Sequence, residues 1–317
     1  MAKKFWSDKK VLITGGSGFL GSHLVEYLKK QGLNERNLIV PRSRQFDLRK
    51  QSVAKKLTTG IDIVIHLAAN VGGIGYNREK PGELFYDNVL LGIHMIEESR
   101  KNKVKKFVSI GTVCAYPKFT PVPFKEEDLW NGYPEETNAP YGIAKKVLLI
   151  QGQAYRNQYG FNAIYLLPVN LYGPRDKFDP DKSHVIPALI KKFYDAKVQN
   201  AKEVVVWGTG RATREFLFVE DAVRAIALAA EKYEKGDPVN LGSSFEISIK
   251  NLAETIARLV GFKGKIVFDP SKPDGQPRRK LDTSRAEKEF GFKSKISFEE
   301  GLKRTIRWYE KEFRKKA

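Results

Sequence analysis

A phenol and an ammonium stand four residues apart in Tyr141-Gly142-Ile143-Ala144-Lys145. On a helix that spacing places both side chains on one face. A phenol with its ordinary pKa of ~10 is a poor acid–base catalyst at neutral pH, and a neighbouring cation favours the phenolate. Tyr141 can then pass a proton to or from a carbonyl oxygen while hydride moves at the adjacent carbon. Lys145 can also hold a nicotinamide ribose. Thr112, 29 positions before Tyr141, offers a second hydrogen bond to the same oxygen. Spacing alone fits an exposed helix face equally well. What gives the pair its meaning is its place after a nucleotide-binding half.

That half is announced by Val11–Gly32. Val11-Leu12-Ile13 reads as a buried strand, Gly15-Gly16-Ser17-Gly18 as a loop, and the chain from Phe19, through Leu20 and Gly21, as an amphipathic helix. Gly15 permits a tight turn, Gly18 lets backbone approach a diphosphate, and Gly21 lets the helix lie close to the sheet. The free N–H groups of the helix start then face an anion. Glycine spacing by itself also suits an ordinary strand-to-helix turn; the order strand, loop, helix near the start of a chain favours a dinucleotide site. After the second expected strand, Asn37–Val40, an acidic residue would hold the 2′-hydroxyl of NAD. Here Pro41-Arg42-Ser43-Arg44 stands in that place. Two guanidinium groups suit a 2′-phosphate, hence NADP, and Asp47 is placed to bond the adenine.

Composition narrows the field. The 317 residues suffice for a nucleotide domain with a smaller lobe, and no apolar run approaches the length of a membrane span. The start is basic without the apolar stretch of a signal peptide, so a cytoplasmic protein is expected. A single cysteine, Cys114, excludes an internal disulfide and a cysteine-cluster metal site, and the four histidines lack ligand spacing. The formal charge is +19, but Lys and Arg are dispersed among acidic residues without interleaved aromatics. This reads as a charged surface that attracts anionic ligands rather than as a nucleic-acid footprint.

The positioning elements alternate. Strands are expected at Ile61–His66, Val104–Ile110 and Phe161–Leu167, with helices at Gln51–Thr59, Pro81–Asn102 and Tyr141–Tyr159. The pattern predicts an α/β fold: a Rossmann-type, doubly wound parallel sheet over residues 1–170. Residues 171–317 are expected to form mainly a smaller α/β substrate lobe, parts of which return to the sheet. Its expected elements are strands Val204–Trp207 and Lys265–Phe268 and helices Ser183–Ala196, Ile249–Val260 and Phe298–Phe313.

Taken together, Gly15–Gly21, His66-Leu67-Ala68-Ala69, Asn88, Thr112, Tyr141/Lys145 and Asn170-Leu171-Tyr172-Gly173-Pro174 resemble the extended short-chain dehydrogenase/reductase family. The resemblance covers essentially the whole chain, and it implies action on nucleotide-diphosphate sugars. Thr112 departs from the commoner serine and keeps the hydroxyl. Further segments resemble those members that use NADPH to epimerise C3 and C5 and reduce C4 of GDP-4-keto-6-deoxy-mannose, giving GDP-L-fucose. They are Val71–Ile74 with Asn77, Cys114–Pro117, Ser183–Ile190, Val206–Gly210 with Arg214–Phe216, and Ser271-Lys272-Pro273-Asp274-Gly275. The resemblance implies Cys114 as base and His184 as acid for the two inversions. It places Leu67, Ala68, Ala69, Ile110, Gly111, Pro168, Asn170, Leu171 and His184 at the cofactor. It places Asn170, Val185, Lys192, Trp207, Arg214 and Asp274 at the nucleotide-sugar. A cation or helix end is expected near Cys114 to favour its thiolate. A homodimer through Pro81–Asn102 and Tyr141–Tyr159 is implied too. The alternatives are another 4-reductase or a 4-epimerase of the same family acting on a related GDP-sugar, a 4,6-dehydratase, against which Val113 and Cys114 speak because a dehydratase wants an acid there, and a non-catalytic cofactor-sensing or RNA-binding protein, against which the full Thr112/Tyr141/Lys145 set speaks.

Overall fold

Four apolar or β-branched residues, Val11–Thr14, are all buried and form β1. In this computed structural model, which describes residues 5–179, 183–272 and 274–314, the chain alternates from there. It runs α1 (Phe19–Lys30), β2 (Leu38–Ile39), α2 (Gln51–Thr58), β3 (Ile63–His66), α3 (Ile74–Glu79), α4 (Pro81–Lys101), β4 (Lys106–Ile110), α5 (Ala139–Tyr159) and β5 (Ala163–Pro168). Next come β6 (Asn170–Tyr172), α6 (Val185–Val198), β7 (Glu203–Trp207), β8 (Thr213–Phe218), α7 (Val219–Lys232), β9 (Pro238–Leu241) and β10 (Glu246–Ser248). The chain ends with α8 (Ile249–Val260), β11 (Lys265–Asp269), β12 (Arg278–Arg279), α9 (Ser284–Phe290) and α10 (Phe298–Arg314). Pro273, part of a segment singled out above, lies outside the described residues.

The central sheet has six parallel strands in the order β2-β1-β3-β4-β5-β9. From β1 the chain runs outward to β2, then crosses back to β3 on the other side. The order therefore reverses between β1 and β3, and a parallel sheet opens a ligand crevice at that point, beyond the strands' carboxyl ends. Helices α2, α4 and α5 pack together on one side, and α1 packs on α7. Both faces of the sheet are covered, and β1, β3, β4, β5 and β9 are buried along their whole length.

Two differences from the expected elements matter for the site. First, β9, a strand absent from the expected elements, joins β5 as the sixth strand, which makes α7–β9 the part of the later half that returns to the sheet. Second, β8 is a hub that the sequence reading missed. It pairs antiparallel with β10 and parallel with β12 and β6. A second core, built on Phe193, Phe216, Leu252, Ile256, Leu302 and Tyr309, fills the later lobe. Phe19 and Leu20 of α1 and Val185 of α6 pack on it. The start of α1 thus lies at the seam of the two cores.

Candidate active site

The glycine loop is shaped by close approaches. Gly15 has φ +70°, and a Cβ there would lie 2.8 Å from the Ala68 nitrogen, across the β1–β3 switch point. A Cβ on Gly21 would lie 2.2 Å from the Gly15 oxygen and 2.5 Å from the Gly16 Cα. The expectation that Gly21 accommodates the sheet is therefore corrected: it accommodates the loop itself. Gly16 is buried against Val40, whereas Ser17 and Gly18 are exposed, and a Gly18 Cβ would meet only the Gly15 oxygen at 3.3 Å. Gly18 is the N-cap of α1 and offers no side chain there. The result is an open concave backbone at a helix start, the shape that takes a diphosphate.

Arg42 and Arg44 lie exposed in the turn after β2. Among the described residues neither guanidinium has a hydrogen-bond or ion-pair partner. Asp47 is less available than expected, because Arg49 bonds both its carboxylate oxygens at 2.9 and 3.0 Å and holds its pKa down. Leu67, Ala68 and Ala69 follow β3, where the Thr14 oxygen accepts the Leu67 N–H and the Thr14 hydroxyl accepts that of Ala68. That hydroxyl is 2.8 Å from Nδ1 of His66, whose complete burial drops its pKa to about 3 and keeps it neutral. Ile110 ends β4, and Gly111 donates to the Leu166 oxygen. Pro168 ends β5; Asn170 opens β6 and donates to the Glu215 oxygen at 3.1 Å, followed by Leu171.

Just past β4, Thr112 caps a 3-10 turn at Val113–Ala115 that carries Cys114. The Thr112 hydroxyl accepts the Cys114 N–H at 3.2 Å. Helix α5 crosses this turn closely, since a Cβ on Gly142 would lie 2.6 Å from the Cys114 oxygen. That contact puts Tyr141 beside Cys114. The Lys145 ammonium stands 6.0 Å from the Tyr141 ring centroid and, among the described residues, has no hydrogen-bond partner. The expected acidification of the phenol does not occur in the protein alone. Burial pushes the Tyr141 phenol up, with Cys114 adding to the rise, and burial pushes Lys145 down to about 8. A phenol so raised is fully protonated at neutral pH, the form that donates to a nascent alkoxide.

The cation expected near the thiol is Arg279 of β12, whose Nη1 donates toward Sγ of Cys114 at 3.7 Å. It lies 165 residues away in sequence, and spacing could not reveal it. Arg214 is nearby; burial and then the charge of Arg279 lower it to about 10. Its guanidinium donates to the oxygens of Thr213 and Asp274. The Asp274 carboxylate is taken up by the Thr209 N–H and hydroxyl, both at 2.7 Å. Lys192 donates to the Val205 oxygen at 2.6 Å. Trp207, at the end of β7, is 67% exposed and lies under the Lys272 ammonium at 5.8 Å, so it is not core. His184 is the N-cap residue of α6 without a side-chain capping bond, next to Val185. The residue is exposed, yet desolvation by the surrounding protein lowers its pKa, and the Lys177 ammonium adds to the drop. No hydrogen bond joins it to Cys114 or Tyr141 among the described residues.

A glycine cradle at a switch point, with a phenol, an ammonium, a hydroxyl and a thiol around the neighbouring strand ends, defines a dinucleotide-dependent enzyme class. Residues 11–242 match the NAD dependent epimerase/dehydratase family, and the chain belongs to it. Over 310 residues it is 42% identical to the probable GDP-L-fucose synthase 1 of Oryza sativa subsp. japonica, covering 96% of this chain and 94% of that one. Among solved structures, a GDP-6-OMe-4-keto-L-xylo-heptose reductase from C. jejuni matches with TM-score 0.91 and 30% identity, over 98% of this chain and 100% of that one. A GDP-L-fucose synthetase from Naegleria fowleri bound to NADP matches with TM-score 0.86 and 29% identity, over 98% and 97%.

Proposed function

We propose that the chain is an NADPH-dependent 3,5-epimerase and 4-reductase that converts GDP-4-keto-6-deoxy-D-mannose to GDP-L-fucose. The observation that carries this reading is the contact of α5 with the turn after β4, which sets Tyr141 and Lys145 beside Thr112 and Cys114. The cofactor fits the residues present: the Gly15–Gly21 cradle suits the diphosphate, Arg42 and Arg44 a 2′-phosphate, and the Lys145 ammonium the nicotinamide ribose. When bound, NADPH supplies the hydride that C4 receives.

The protein's own groups do the rest. A C4 ketone acidifies the protons on C3 and C5, and Cys114 removes them. His184 returns a proton on the opposite face, inverting each carbon. Thr112 and Tyr141 hold the C4 oxygen, and Tyr141 donates its proton as that oxygen becomes an alkoxide. Arg214 and Lys192 answer the diphosphate, Trp207 offers a face to guanine, and Asp274 and Asn170 frame the sugar. The cofactor part is residues 1–170 together with α7 and β9, and the remainder of 171–317 is the nucleotide-sugar lobe.

Phe85 and Tyr86 on α4 and Ile150 and Tyr159 on α5 are exposed apolar residues on packed neighbours, which supports a homodimer through these helices. A free thiol at the site suits the reducing cytoplasm. Mass spectrometry of the product formed from GDP-4-keto-6-deoxy-mannose with NADPH tests the reading. A product reduced at C4 with two solvent deuterons in D2O supports it, and no consumption of NADPH defeats it. The heptose reductase match favours a second reading, a related GDP-4-keto sugar as substrate; turnover of that sugar alone would establish it.

A further inference from the structure

Cys114 and Arg279 come from opposite halves of the chain, and the way the arginine is held decides what it can do. Gln276 donates its amide N–H to the Lys118 oxygen at 2.6 Å, so its Oε1 must face the other way. That oxygen accepts both Nε and Nη2 of Arg279, at 3.2 and 2.9 Å. One edge of the guanidinium is thereby fixed, and Nη1 is left toward Sγ of Cys114. The partner that fixes it is a neutral amide, not a carboxylate. Among the described residues no acid pairs with Arg279, so its charge remains uncompensated. The groups around the sulfur are two cations, Arg279 and Arg214, and the neutral Tyr141 phenol and Thr112 hydroxyl. Of these groups a thiol is ordinarily the strongest acid, so the anion that the two cations favour here is a thiolate.

We propose that Arg279 is a further catalytic residue, which stabilises the Cys114 thiolate that takes the sugar's protons. This deepens the reading of Cys114 given above and rests on it. In the step, the thiolate lone pair forms S–H, the C–H bond breaks, and its electrons pass to the C4 oxygen as an enolate. His184 then gives a proton to the carbon on the other face. The thiol releases its proton to solvent and the imidazole regains one before the second inversion.

Because the chain has one cysteine, alkylation by iodoacetamide reports Cys114 alone. In the full-length protein, Arg279→Gln should slow alkylation at neutral pH about tenfold, the size of a screened charge pair at this separation. Arg279→Lys, which keeps the charge, should stay within about threefold of the parent. At strongly alkaline pH, where every thiol is ionised, all three rates should converge. Equal rates at neutral pH would overturn the proposal. So would a deficit in Arg279→Gln that persists at alkaline pH, since that means access, or a tenfold loss in Arg279→Lys as well. Cys114→Ser tests the underlying reading separately. Full deuterium exchange at C3 and C5 in that variant would end the base assignment, whatever the alkylation rates are.

Discussion

Lys145 should make the protein less stable while making it an enzyme. Its side chain is 3% exposed, and burial lowers its pKa from 10.5 to about 8. The unfolded chain therefore binds more protons than the folded one between those values, and stability rises with pH across that window. Below pH 8 the ammonium is present in both states and the full burial cost applies. At 1.36 kcal/mol per pKa unit, the cost is about 3 kcal/mol. Lys145→Met fills similar space without the charge, so the cofactor-free variant should be more stable at neutral pH by about 2–3 kcal/mol. That corresponds to a melting temperature higher by on the order of 5 °C. Its reductase activity should fall at least about a hundredfold, as expected when an acid–base pair is broken. Melting curves of both proteins across the window above pH 8 provide the assay. The gap should close as pH rises toward the unfolded-state value and Lys145 loses its proton in both states. A variant less stable than the parent at neutral pH, or a gap that does not change with pH, would refute the reasoning.

Other consequences can be measured directly. Replacing Arg42 and Arg44 together by serine should weaken NADPH binding about 10- to 100-fold and leave NADH binding unchanged, because only the 2′-phosphate needs charged donors; fluorescence titration with both cofactors decides. Gly21→Ala forces a Cβ onto the Gly15 and Gly16 backbone, so it should cost about 2–3 kcal/mol in melting experiments as well as cofactor affinity. Gly18→Ala meets only the Gly15 oxygen, at 3.3 Å, and should lower affinity with little loss of stability. Trp207→Ala, at an exposed position, should change stability by less than about 0.5 kcal/mol while raising KM for the GDP-sugar, read from NADPH oxidation kinetics.

What was legible in the sequence was what local chemistry determines. The apolar run of β1, the glycines after it, and α5 with its left-handed Gly160 end are set by residues within a few positions of one another. β9 was not legible. Pro238-Val239-Asn240-Leu241 lies between Gly236 and Gly242, the same vocabulary that marks loops elsewhere, and becomes a strand only by pairing with β5. Helix α7 does carry a readable signal in Ala222, Val223, Ile226, Ala229 and Ala230, all buried, although it is not among the expected elements. At the site, residue type and spacing gave positions but not partners. Nothing in a basic chain distinguishes Arg279 from Arg278 beside it, yet Arg278 pairs with Glu246 and Arg279 faces the thiol. The phenol's pKa depended on how deeply α5 is buried, which no spacing rule contains.

The sixth strand has a bearing on attempts to treat this enzyme as modular. All six residues of β5 are buried, and β9 covers its outer edge. A gene cut after residue 170 would deliver a polypeptide with that edge bare, its backbone donors and acceptors free to recruit another copy. It would also leave α1 without the helix it leans on. Chimeras that swap sugar specificity between relatives must therefore carry Val219–Leu241 with the amino-terminal half, or expect aggregates in place of a reassorted catalyst.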